Sequence, residues 1–207
     1  MATQKDTVRT LLDRAGRTYA DQAGITLADK PSPLYRLLVL SVLLSARISA
    51  DIAVAAAREL SKAGFRTPRR MLDATWQQRV DALGRGHYVR YDESTATALG
   101  DGAELLLDSY GGDVRKWRGD ELRKRLRETP KLGPVGVDIF CREAQAVWPE
   151  LRPHLDRKTL DGAKKIGLPG DAAKLAKLVP ENDLARFSAA LVRVSLDRKL
   201  AEDVRAG

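Results

Sequence analysis

The stretch Leu126-Arg127-Glu128-Thr129-Pro130-Lys131-Leu132-Gly133-Pro134-Val135-Gly136-Val137-Asp138-Ile139-Phe140 reads as a helix, a tight turn and a second helix beginning close to Gly136. Glycine near a helix N-terminus lets the backbone approach a ligand closely. The N–H groups left there without intrahelical partners point at an anion. A plain helix–helix connector uses the same glycines and prolines, and this stretch taken alone favours the connector.

Working outward, helical periodicity continues in both directions. Val8, Leu11, Leu12 and Ala15 recur at helical spacing, with Arg9, Asp13 and Arg14 on the opposite face. Pro31 and Pro33 end that segment. Leu34 to Ala46 then reads as a fully buried helix. Its greasiest part, Leu37 to Ala46 between Arg36 and Arg47, is half of the ~20 residues that a membrane span needs. Ser49 caps a helix through Lys62, and Thr67-Pro68 opens another. Further helices are expected at Trp76–Leu83, Ser94–Tyr110, Asp120–Arg127, Val135–Val147, Thr159–Ile166, Asp171–Leu178 and Glu181–Glu202. No segment alternates apolar and polar residues as a strand would, so an all-α chain of about ten helices is expected.

The chain has 207 residues with 36 Lys and Arg against 28 Asp and Glu, a formal net charge of +8. That excess raises a polyanionic partner such as nucleic acid among the alternatives. A single cysteine, Cys141, excludes an intramolecular disulfide and any cluster held by several thiolates. His87 and His154 are too few and too far apart for zinc, so no metal site is expected. Met1 to Asp6 lacks the apolar core of an export signal. A cytoplasmic, nucleoid-associated monomer without membrane contact is the expectation.

Three short motifs occur together and in order. Leu43-Leu44-Ser45-Ala46-Arg47-Ile48-Ser49-Ala50-Asp51 resembles the "LLSAQ-T-D" signature of endonuclease III-like DNA glycosylases, in the helix-hairpin-helix (HhH-GPD) superfamily. Leu132-Gly133-Pro134-Val135-Gly136 is similar to its "LPGVG" hairpin, and Leu155-Asp156-Arg157-Lys158-Thr159 to its "VDTHI" segment with the catalytic aspartate. Gly86-His87-Tyr88 faintly resembles the "GLY" turn between them, so the likeness runs from about Pro33 to Leu168.

The departures matter equally. The family's bifunctional members carry a Schiff-base lysine two residues after the hairpin's last glycine; here that slot is Asp138, which cannot form an imine. Pro134 in the first glycine slot supplies no N–H, so one phosphate contact is expected to be missing. The four C-terminal cysteines that hold an iron–sulfur cluster in many relatives are absent. No cofactor is expected beyond a monovalent cation that the hairpin could hold. Arg47 occupies the slot of the glutamine that fills the gap left by an extruded nucleotide. Its alternative reading is a solvated charge ending a buried helix.

The resemblance implies a two-lobed helical fold with a DNA-binding cleft between the lobes: 29–148 carrying the hairpin, and 1–28 with 149–207 as a discontinuous second lobe. It implies a monofunctional base-excision glycosylase acting on damaged double-stranded DNA. Asp156 would be the catalytic carboxylate, its plain alternative being a helix N-cap. Asp138 would be a second acid, its favoured alternative a first-turn acid on the helix dipole. Leu132, Gly133, Val135, Gly136, Arg47, Lys131 and Lys158 would face DNA. Two rivals stay open: a non-catalytic DNA-binding protein, and an abasic-site lyase using Lys158 or Lys131. Trp76, Trp117 and Trp148 read as core or interface residues and Cys141 as a small buried hydrophobe. Tyr88 and Tyr91 are read as packing residues before base-stacking ones. Lys174, Lys177, Arg186, Arg193, Arg198 and Lys199 form either a DNA-binding or a solvated basic face.

Overall fold

A computed structural model of the protein describes residues 3–207; Met1 and Ala2, which open the polar N-terminal stretch, lie outside the described residues. Among the described residues every regular element is helical. In chain order these are α1 Gln4–Ala15, α2 Tyr19–Gln22, α3 Pro31–Leu44, α4 Ala50–Lys62, α5 Pro68–Asp73, α6 Trp76–Arg85, α7 Asp92–Tyr110, α8 Leu122–Leu126, α9 Pro134–Ala144, α10 Arg157–Lys165, α11 Ala172–Ala176, α12 Leu184–Leu196 and α13 Arg198–Ala206. The protein is all-α. None of the described helices is long and apolar enough to cross a membrane.

The chain divides into two compact units. One is built from residues through Tyr19 together with Cys141–Gly207, the other from Ala20–Phe140. The divisions therefore lie at 19/20 and 140/141, against 28/29 and 148/149 in the sequence reading. A sequence reading places boundaries in proline- and glycine-rich linkers, whereas here α2 and α9 run across both.

In the Ala20–Phe140 unit, α3 is the centre. Leu34, Leu37, Leu38, Leu40 and Leu43 are all buried, as an all-round apolar helix must be. It starts at Pro31, because proline is tolerated where a first-turn N–H has no intrahelical partner anyway. Arg79 is buried among apolar neighbours, and its guanidinium donates to the carbonyls of Met71 (3.0 Å), Ala74 (2.8 Å) and Ala96 (2.9 Å). One side chain thus satisfies backbone acceptors in α5, at its C-cap and in α7. Trp76 is 41% exposed, with its indole N–H donating to Thr97, so only Trp117 and Trp148 are core residues. Aromatic bulk suggested burial, but Trp76 opens α6 at the rim.

At the end of α6, the Tyr88 N–H reaches the Leu83 carbonyl (3.0 Å) and the His87 N–H reaches that of Gly84 (2.9 Å). This is a Schellman closure. The residue that turns left-handed in it is His87, φ +63°, not glycine.

In the other unit, α1 is closed by a Thr3–Asp6 capping box and packs Val8, Leu11 and Ala15 against Phe187, Leu191 and Val194 of α12. Gly162 of α10 lies so close to α12 that a Cβ there would be 1.9 Å from the Leu191 carbonyl oxygen. The single helix expected over Glu181–Glu202 is two: Asp197 leaves helical geometry and its side chain accepts the Leu200 N–H at 3.0 Å, starting α13. Arg186 donates to the Gly16 carbonyl, and Arg193 to those of Ala15 and Arg17. These two arginines of the basic C-terminal group satisfy the end of α1 instead of standing free on a basic face.

Candidate nucleic-acid interface

The hairpin between α8 and α9 is built by short backbone bonds, Leu132 N–H to Thr129 (3.1 Å) and Val137 N–H to Gly133 (3.0 Å). Lys131 supplies the reversal with φ +64°. Leu132 anchors the turn by burial, while Gly133, Pro134 and Val135 are exposed. Pro134 is the first residue of α9. Helix geometry therefore leaves the amides of Val135 and Gly136 at the terminus and none from Pro134.

The two most separated motifs of this unit meet here. A Cβ on Gly136 would sit 2.4 Å from Ser45 Oγ and 2.6 Å from a Leu132 methyl. Ser45 is itself held by donating to the Ser41 carbonyl at 2.6 Å. The glycine is thus required by the close approach of the α3 end, and the contact sets Arg47 beside the hairpin.

Beside that contact lies a pocket of about 390 Å³ lined by Val42, Ser45, Ala46, Arg47, Tyr88, Tyr91 and Lys131. The Lys131 ammonium donates to Ser94 Oγ (2.5 Å) and Thr95 Oγ1 (3.2 Å) and lies 5.9 Å from the Tyr91 ring centroid. Partial burial lowers its pKa from the ordinary lysine value. Burial is also the largest cause pushing the Tyr88 phenol up. A second pocket, about 440 Å³, is lined by Arg123, Lys124, Arg127, Glu128, Pro134 and Val137. It gives the hairpin a basic flank.

Asp138 sits in the second turn of α9, and its carboxylate accepts from Arg123 at 2.9 Å. The side chain is held by this partner on α8, which the reading as a dipole-stabilised acid did not include. Asp156 belongs to the other unit. It is the N-cap of α10: Oδ1 accepts the Thr159 N–H (3.2 Å), and the Thr159 hydroxyl donates to the Asp156 carbonyl (2.6 Å). Its other oxygen is 3.8 Å from Arg142 Nε, and the two side chains are 11% and 9% exposed. The loop leading into it is fixed by Gln145, whose amide accepts from the His154 N–H (3.0 Å) and donates to the His154 carbonyl (3.1 Å) and Ser188 (3.1 Å). Lys158 stands exposed in the first turn of α10.

The structure thus brings Arg47, Lys131 and the hairpin residues together in one unit, and Asp156 with Lys158 in the other. Arg142, Gln145 and Ser94 were not picked out from sequence. Their signal is only that polar residues fall at buried helical positions or follow a turn. Cys141 is buried in α9, and one thiolate cannot furnish the four ligands of an iron–sulfur cluster.

No family model matches the chain, and no curated protein is found similar to it. Among solved structures, it is similar to a trapped endonuclease III–DNA covalent intermediate with an estranged adenine, at 17% identity and TM-score 0.51. It is also similar to a non-covalent endonuclease III–DNA complex, at 15% identity and TM-score 0.51. Both matches cover 93% of this chain and 85% of the other. The fold is therefore endonuclease III-like.

Proposed function

We propose that the protein is a monofunctional DNA glycosylase of base-excision repair, hydrolysing the N-glycosidic bond of a damaged or mispaired base in duplex DNA. The observation that carries the reading is the packing of the Leu43–Asp51 signature on the hairpin through Ser45 and Gly136, within an endonuclease III-like fold. A base inside a duplex must be extruded before its glycosidic bond can be reached. The Val135 and Gly136 amides and the flanking basic side chains would grip the phosphates. Breaking the bond builds positive charge at C1′. Asp156, held by the α10 cap and Arg142, would stabilise that charge and take a proton from the attacking water. Asp138 is paired with Arg123, and its carboxylate offers no amine for imine formation.

Base release from a panel of lesion-bearing duplexes tests this. Asp156→Asn is expected to cut release by about 100-fold or more while duplex binding persists, and strand cleavage should need added alkali. Release unchanged in the variant would overturn the assignment of Asp156.

A second reading has one observation in its favour, the placement of Lys131 in the pocket with its ammonium partly desolvated. Its amine could add to the C1′ aldehyde of an abasic site and lose water to give an imine. Borohydride would trap that adduct with the wild type and not with Lys131→Ala; absence of trapping leaves the hydrolytic reading alone.

A further inference from the structure

The hairpin turn is tied to the rest of its unit through one side chain. Among the described residues, the two non-glycine residues with left-handed backbone are His87 and Lys131. Glycine adopts that conformation without strain, so another residue persists there only where its surroundings hold it. For Lys131 those surroundings are two hydroxyls in the first turn of α7. Ser94 Oγ and Thr95 Oγ1 accept from its ammonium at 2.5 and 3.2 Å.

The two acceptors are themselves fixed. The Ser94 hydroxyl donates to the Tyr91 carbonyl at 3.2 Å, so toward Lys131 its oxygen serves as an acceptor. Thr95 is fully buried, and its side chain is also hydrogen-bonded to the Tyr88 phenol. Tyr88 belongs to the segment between α6 and α7, so loop, helix and hairpin meet at this cluster. The stem of the hairpin lies along the same helix. A Cβ on Gly102, further along α7, would stand 3.5 Å from Pro130 and 3.6 Å from Thr129.

An ammonium carries three donors. Two are taken within the protein, and one remains for an acceptor on a ligand. A lysine stem in water samples many rotamers, and ordering it on binding costs affinity. Here that ordering precedes any ligand. We propose that Ser94 and Thr95 are positioning residues for DNA binding, acting through Lys131: they fix the left-handed residue of the hairpin turn before DNA arrives and leave one Lys131 N–H for the DNA backbone. The proposal rests on the reading of this protein as a DNA-binding one. It assigns no contact with DNA to either hydroxyl. Neither hydroxyl carries charge, so their removal should weaken binding by the same factor at every salt concentration. A lost phosphate contact would instead reduce the salt dependence.

The test is a double-mutant cycle on the full chain, with duplex affinity measured against salt. Ser94→Ala combined with Thr95→Val is expected to lower duplex affinity about fivefold at an unchanged salt slope, and Thr95→Ser should bind like the wild type. Lys131→Met should lower both affinity and slope, the slope by about 0.9. In the Lys131→Met background, removing the two hydroxyls should cost less than about twofold further. The whole fivefold loss in that background, or no loss with Lys131 in place, would overturn the proposal. Hydrogen exchange reads the same arrangement without DNA. The Leu132 amide, bonded to the Thr129 carbonyl, should exchange about fivefold faster in Ser94→Ala, and unchanged exchange would also overturn the proposal. No duplex binding by the wild type would overturn the DNA reading beneath it, whatever the exchange shows.

Discussion

His87 follows the last turn of α6, where its N–H reaches the Gly84 carbonyl. It closes α6 in a left-handed conformation, φ +63°, that disfavours a side chain, at a cost of about 1 kcal/mol. His87→Gly is expected to raise stability by about 0.5–1 kcal/mol, read from the urea midpoint at unchanged slope; a lowered midpoint would mean that the imidazole makes contacts worth more than the strain. Gly136 presents the opposite case. Gly136→Ala should push the hairpin away from Ser45 and weaken duplex binding, and adding Ser45→Ala should restore part of the loss. An unrescued double variant would assign the damage to the Leu132 methyl alone. Neither effect was visible in the sequence. The glycine at 136 was read as a means of approaching a ligand, but its close neighbour is Ser45, 91 positions earlier. The histidine looked like a faint match to a turn motif, because a left-handed φ leaves no trace in residue identity.

At the scale of elements, the helices were legible wherever caps and apolar spacing agreed, as at Ser49 before α4 and Thr67 before α5. They were not legible where a polar residue served an unexpected purpose. Asp197 lies in a helical pattern yet breaks it, because its side chain caps α13 better than its backbone continues α12. Asp197→Ala should cost about 1 kcal/mol in stability; no change would mean that packing on both sides fixes the break. Gly162 carries a larger consequence. With the Leu191 carbonyl 1.9 Å from where a Cβ would stand, Gly162→Ala should destabilise by about 1–3 kcal/mol or more, despite alanine's better helix propensity. Thermal unfolding would show the loss as a lowered midpoint. The candidate site was similarly half readable. Asp156 and the hairpin stood out by motif, but Arg142 and Gln145, which hold the Asp156 loop, lie on the buried face of an amphipathic run and look like any other polar residue.

For the whole molecule, the net charge of +8 is the one property readable by counting, and it sets a quantitative expectation. Each phosphate neutralised should contribute about −0.9 to the slope of log affinity against log salt concentration. A slope steeper than about −3 is expected if the hairpin and its basic flank grip several phosphates, and a flat line would remove DNA as the partner. The two-unit division was harder to read, since α2 and α9 carry the chain across the boundaries without a linker. That arrangement also bears on how the protein is made. The stripe of Val8, Leu11 and Ala15 leaves the ribosome long before its partners Phe187, Leu191 and Val194 are translated. The Ala20–Phe140 unit can condense during synthesis while the N-terminal helix waits with its apolar face uncovered. A nascent chain stalled before residue 184 should therefore engage holdase chaperones that the finished protein escapes.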